Sequence, residues 1–233
     1  MHKTPHLRNL LEQYKTMLNT EEFLSFESEV ERLLEFYNQH FRQFSQPAAR
    51  GREVQRLIDE QVEASSHIKT TCQKGCGACC HLEVDITSDD AAVLDESLMQ
   101  GAYVDFTRLR ELSQRSRLDD KWKMGSVASN RCVFLGPDNA CSNYENRPSV
   151  CRKHSVVSPV EECETLGGNP VPKLMPLAEI IMSAAISQTG VEFAALPKML
   201  QRVLDQRIIS SQQLEFIESE VESLSLQADH SPK

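Results

Sequence analysis

Residues 20–44 read TEEFLSFESEVERLLEFYNQHFRQF. Phe23, Phe26, Val30, Leu33, Tyr37, Phe41 and Phe44 recur at spacings of three and four, with charged and polar residues between them. That period puts all of them on one face of an α-helix. Thr20 is a candidate N-cap, and the stripe has to end before Pro47. An aromatic stripe with helical period is core or helix-pairing surface rather than a cofactor site, because burying one face is what an amphipathic helix does.

The same pattern continues outward in both directions. Leu7, Leu10, Leu11, Tyr14, Met17 and Leu18 mark a shorter helix before it, and Val54, Leu57, Ile58 and Val62 mark one after it. Towards the C-terminus, Leu177, Ile180, Ile181, Ala184 and Ala185 form a stripe. Met199, Leu200, Val203 and Leu204 form another after Pro197, and Leu214, Ile217, Val221 and Leu224 a last one. The tail from Ala228 to Lys233 is expected to fray. These stripes can pack within the chain, or they can offer a surface to a protein partner or to a second copy as a homodimer. The sequence alone does not choose.

Composition narrows the function. With 233 residues, 40% hydrophobic and 25% charged, the chain has material for a sizeable core. Its net charge of −9 argues against general nucleic-acid binding, which needs many phosphates neutralised. The most apolar stretch, Leu174 to Ile186, is interrupted by Glu179 and is too short for a membrane span of roughly 20 residues. The charge-studded start has no apolar core of a secretory leader. The expectation is therefore a cytoplasmic protein, no membrane, and thiols kept reduced.

Against that background the cysteines stand out. All eight, Cys72, Cys76, Cys79, Cys80, Cys132, Cys141, Cys151 and Cys163, lie in the middle of the chain. The chain thus divides into a helical region over 1–68, a cysteine-bearing module over 69–168 and a helical region over 169–233, together one structural unit. In the module, Val84-Asp85-Ile86 is a short strand candidate. Thr87 and Ser88 offer a cap for a helix over Ala91 to Met99, with Asp90 three residues after Thr87. Cys132-Val133-Phe134-Leu135 and Ala140-Cys141-Ser142-Asn143-Tyr144 flank Gly136-Pro137-Asp138-Asn139, a hairpin signal with a four-residue loop.

Cys76-Gly77-Ala78-Cys79 is a thiolate knuckle: two sulfurs at this spacing reach one metal, and glycine lets backbone N–H groups turn toward them. Lys69 and Lys74 would help hold the thiols deprotonated. If Leu135 pairs with Ala140, Phe134 faces Cys141, and Cys132 and Cys141 become diagonal neighbours on one sheet face. A one-residue slip would separate them. Pro148 suits the first position of a helix, with Asn146 or Arg147 near the cap, and Cys151 and His154 would then share a face. His154 is a candidate ligand, His81 a weaker one, and Cys163 could close a site. Cys79 and Cys80, being consecutive, are expected to diverge, which favours two metal atoms or a cluster over one ion.

Disulfides fit a reducing compartment poorly, and the thioredoxin βαβ pattern that would make the CxxC a redox motif is missing. Soft thiolates at knuckle spacing suit zinc, iron or an iron–sulfur cluster. Arg131, Arg147, Arg152 and Lys153 are expected to offset thiolate charge or be solvated, with binding of an anionic substrate as the alternative.

Cys72-x3-Cys76-x2-Cys79-Cys80, then Cys132-Val133-Phe134-Leu135, then Cys141-x2-Tyr144-Glu145-x-Arg147-Pro148-x2-Cys151-Arg152, resembles the YkgJ-type cysteine-cluster family over roughly residues 72–163. The resemblance implies zinc or iron chelation by Cys72, Cys76, Cys79, Cys80, Cys132, Cys141 and Cys151, joined by Cys163 in this sequence type. Some relatives of the pattern are described as flagellin lysine N-methylases with an iron–sulfur centre, so the alternative function is a metal-dependent enzyme of that kind. Cys72-x3-Cys76-x2-Cys79 is also similar to the cluster motif of radical S-adenosylmethionine enzymes, but the βα-repeat barrel that follows it there has no counterpart here. The expected architecture is mainly α: helical N- and C-terminal segments packed around an irregular cysteine-rich metal-binding module with a small β-hairpin.

Overall fold

The computed structural model describes residues 4–117, 119–120, 122, 128–165 and 167–228, apart from the side chains of 214–228. The chain is mainly helical. Helices α1 (Pro5–Met17), α2 (Thr20–Phe41) and α3 (Pro47–Ala64) come first. Pro5 and Pro47 each sit in a first turn, where a missing N–H costs nothing. The cap of α2 is Asn19 rather than Thr20: its Oδ1 accepts from the Glu22 N–H at 3.0 Å, and Glu22 Oε2 accepts from the Asn19 N–H at 2.9 Å. The helix stops at Phe41, so Phe44 lies beyond the stripe that the sequence assigned it to.

The first core joins the two ends of the chain. Leu7, Leu10 and Leu11 of α1, Val30, Leu34, Tyr37 and Phe41 of α2, and Val54 and Ile58 of α3 close on helix α8 (Pro176–Ile186) through Ala178, Ile181 and Ala184. The aromatic stripe is thus spent inside the chain.

A second core is built on helix α4 (Ser88–Met99), which packs against α3. Strand β1 (Asp85–Thr87) runs directly into α4, and β2 (Phe193–Ala195) runs directly into α9 (Leu196–Ala228). The two strands pair antiparallel with Ile86 opposite Ala194, and α4 packs on α9. Helix α5 (Phe106–Ser113), which sequence periodicity did not single out, completes this layer. Ile86, Leu94, Leu109, Phe134, Met199 and Leu200 are its centre. The Leu214, Ile217, Val221 and Leu224 stripe and residues 229–233 of the tail fall outside the described side chains and residues.

Helix α3 joins the two cores, because its one buried face packs on both α8 and α4. A Cβ on Gly51 would lie 2.6 Å from the Asp89 carbonyl oxygen, so α3 and α4 touch backbone to backbone only because that side chain is absent. Beside it, Arg50 grips the buried Asp89 with two bonds of 2.6 and 2.8 Å.

Among the described residues the only strand ladder is β1–β2, and the expected hairpin is reduced to one bridge, Leu135 with Cys141. The cause is Asn139, which adopts a left-handed φ of 58°. Gly136 to Asn139 forms a turn closed by the Asn139 N–H on the Gly136 carbonyl, and the Gly136 N–H then reaches the Ala140 carbonyl at 2.8 Å. A turn followed by a left-handed residue makes a bulge, which moves the register by one from Leu135–Ala140 to Leu135–Cys141.

Candidate metal centre

The knuckle is short and tightly turned. Cys76 N–H bonds the Gln73 carbonyl, Gly75 carries a positive φ of 88°, and a 3-10 turn covers Ala78–His81. The Cys79 thiol is pushed far above its ordinary value, first by the neighbouring Cys80 thiol and then by burial. His81 folds back through Nδ1 onto the Gly77 carbonyl at 3.0 Å, bracing the loop.

The other cysteines gather around this turn on distinct elements. The Cys132 N–H donates to the Cys80 carbonyl at 2.7 Å. The register slip does not separate Cys132 from Cys141, because residues 132–135 are a turn, with the Leu135 N–H on the Cys132 carbonyl, and not the extended strand that the face argument required. Cys132 and Cys141 remain within reach of each other's charge. Cys151 rides on α6 (Ser149–Lys153), whose N-cap is Pro148 itself. Cys163 rides on α7 (Glu161–Glu164), which packs against the 3-10 turn. Cys72 Sγ accepts the Val156 N–H at 3.4 Å.

Electrostatics define the neighbourhood. Cys72, Cys76, Cys79 and Cys163 act on one another, and so do Cys79, Cys132, Cys141 and Cys151. Burial is the main reason the thiols of Cys76, Cys132, Cys141, Cys151 and Cys163 hold their protons, with Cys132 pushed up to about 11. Opposing this, the backbone at Ala78, Phe134 and Asn143 draws down the thiols of Cys76, Cys132 and Cys141 respectively. That donor pattern suits thiolates that carry charge. Among the described residues, however, no three His, Cys, Asp or Glu side chains already stand in the geometry of a metal site. The thiols are neighbours that an ion would have to draw in.

The flanking cations sort differently from expectation. Arg147 lies over the Tyr144 ring at 3.8 Å and eases the thiols of Cys79 and Cys141, while Arg108, which the sequence did not suggest, does so for Cys132. Arg131 is spent on the Leu135 and Gly136 carbonyls, Arg152 on Asp59 and the Arg147 and Glu145 carbonyls, and Lys153 on Glu179. Lys69 and Lys74 are exposed. His154 is the exposed C-cap of α6 rather than a helical neighbour of Cys151.

Asp90 is the support that sequence reasoning half saw. It completes the Thr87 capping box, and its Oδ1 also accepts the Ser149 N–H at 3.0 Å and hydroxyl at 2.9 Å. It thereby anchors the start of the helix that carries Cys151. The cap was legible from the Thr87–Asp90 spacing; the second bond needs α6 in place.

Residues 71–169 match the CxxCxxCC family, described as a "putative zinc- or iron-chelating domain". This bears out the resemblance to a cysteine-cluster family. No curated protein and no solved structure matches the chain. No helix among the described residues is long and apolar enough to cross a membrane.

Proposed function

We propose that this chain is a metal-binding protein that chelates zinc or iron with donors drawn from its eight cysteines. The observation that carries the reading is the gathering of cysteine-bearing segments around the Ala78–His81 turn: the Cys132 N–H bonds the Cys80 carbonyl, Cys141 is bridged to Leu135 of that segment, and α7, which bears Cys163, packs against the turn. Soft sulfur donors of this kind select zinc, iron or an iron–sulfur cluster over hard cations. The protonated thiols must release their protons as the ion enters, so affinity rises with pH.

The donor set fits the group that the family description names. Cys76 and Cys79 would hold it from the knuckle, and Cys132, Cys141, Cys151 and Cys163 would close on it from the other segments. Arg147 and Arg108 would offset thiolate charge. A bound zinc or iron supplies either a structural crosslink or an acidic centre, depending on whether a coordination position stays open. Cytoplasmic residence belongs to the same reading, since a reducing compartment keeps thiols available.

Anaerobic purification followed by elemental analysis and an absorption spectrum tests the proposal. Zinc or iron in near-stoichiometric amount is the expected result; zinc gives a colourless protein and an iron–sulfur cluster a brown one. A protein that neither carries these metals nor takes them up when they are added, with all eight thiols titratable, would overturn it.

A further inference from the structure

We propose that the cavity between the last turns of α2 and α8 is a binding site for a small polyhydroxylated monocarboxylate. The site belongs to the first core, outside the cysteine-bearing module, and does not rest on the chelation reading.

The cavity measures about 530 Å³, a size suited to a small organic ligand. It is bounded by the start of α1, by the end of α2, by the loop from α2 to α3 and by the end of α8. Leu7 and Leu34, both buried, give it an apolar floor. Phe44, which the spacing of the stripe assigned to α2, instead lines the cavity from the loop, and Arg50 Nη1 holds its carbonyl at 3.0 Å. A floor and a ring of this kind receive the C–H faces of a carbon chain whose hydroxyls point to the polar wall.

That wall has hydrogen-bonding capacity left over. Gln188 Nε2 donates to Asn38 Oδ1 at 3.0 Å and to the Ala184 carbonyl at 2.9 Å, which uses both of its hydrogens. The two amides are thereby fixed in orientation. Asn38 Nδ2 and Gln188 Oε1 carry no hydrogen bond among the described residues. A donor and an acceptor on one locked pair match a hydroxyl, which both gives and takes. Beside them, Thr4 Oγ1 donates to Ser183 Oγ at 2.8 Å and Ser187 Oγ to the Ser183 carbonyl at 2.8 Å, so the hydroxyl-bearing side of the wall is also held in place.

Charge then selects the acid. Arg50 lines the cavity, but its guanidinium is committed to Asp89. The exposed Arg42 side chain, on the same cavity, makes no hydrogen bond or ion pair among the described residues. One carboxylate can meet its guanidinium through two parallel bonds. Glu35 also lines the cavity. A single free cation beside a carboxylate disfavours a phosphate or a diacid, whose second charge would meet Glu35 uncompensated.

Isothermal titration of the full chain with gluconate, a polyhydroxy monocarboxylate, tests the proposal. Sorbitol, which lacks the carboxylate, and hexanoate, which lacks the hydroxyls, are the comparisons. The expected result is about one gluconate per chain, with sorbitol and hexanoate each bound about tenfold more weakly or worse. Arg42→Gln removes the cation at an exposed position. Asn38→Asp removes the free donor and keeps the acceptor for Gln188. Each should weaken gluconate about tenfold or more while leaving the circular dichroism spectrum unchanged. Treatment with a metal chelator should leave the affinity as it was. No saturable binding of gluconate, equal affinity for sorbitol or hexanoate, an affinity unmoved in either variant, or an affinity lost with the chelator would each overturn the proposal.

Discussion

The backbone N–H of Cys132 donates to the carbonyl oxygen of Cys80 at 2.7 Å. This bond joins two cysteine segments that are remote along the chain, and it does so through backbone, so the sulfurs stay free for other partners. The thiol cluster and the fold around it are therefore coupled, and occupancy of one should be read in the stability of the other.

Metal removal is expected to soften the middle of the chain. With zinc at a hundredfold excess over its Kd, unfolding should cost about 2.7 kcal/mol more than in the metal-free protein. Thermal melts with zinc and with a strong chelator check this. Zinc uptake in weak buffer should acidify the solution, because burial keeps the Cys132 and Cys151 thiols protonated in the metal-free state. Equal melting temperatures with and without the chelator would count against the coupling.

Asp90→Ala removes both the α4 capping box and the anchor of α6. The Ser149 N–H and hydroxyl would be left buried with no acceptor. Lost cap and orphaned donors together should cost about 2–4 kcal/mol in denaturant unfolding. Ser149→Ala, which removes one donor and keeps the cap, should cost only about 1 kcal/mol. If the two variants are equally stable, the second bond to Ser149 contributes little.

Gly51→Ala should destabilise by about 1–3 kcal/mol, because the new methyl meets the Asp89 carbonyl at 2.6 Å and Val93 Cγ2 at 2.9 Å, and α3 must move away from α4. Alanine is otherwise the better helix former, so a stabilised variant would show that this contact yields easily.

Acid stability should depend on Glu53. Hydrogen bonds from Arg56, helped by His40, outweigh burial and hold its carboxyl down to about 2. A carboxyl depressed in the folded state contributes stability that is complete above its ordinary value of 4.5 and is lost as pH falls toward 2. Glu53→Gln should therefore flatten the unfolding curve in that window and change little near neutrality beyond the loss of the charge partner. Parallel acid titrations of the two proteins, followed by far-UV circular dichroism, decide it.

Much of the helical architecture is legible locally. The Phe23 to Phe41 stripe, the Thr87–Asp90 cap and the Pro176–Ile186 helix follow from period, capping residues and proline placement, all of which act within a few residues. The misreadings share a cause as well. Asn139 adopts a left-handed conformation that its type permits but does not require, and that choice moved the Cys141 register. Phe44 falls outside α2 because the helix ends at Phe41, which the spacing of the stripe does not foresee.

The amino-acid sequence by itself determined that helices dominate, that soft donors are confined to the middle of the chain, and that Cys76 and Cys79 lie at knuckle spacing, since periodicity and spacing are local properties. Only the tertiary structure decided which thiols are neighbours, that β1 pairs with β2, that Asp90 supports Cys151, and that Arg147 and Arg108 are the cations facing sulfur. Those relationships join residues distant in sequence, and such contacts are fixed by how the two cores pack together.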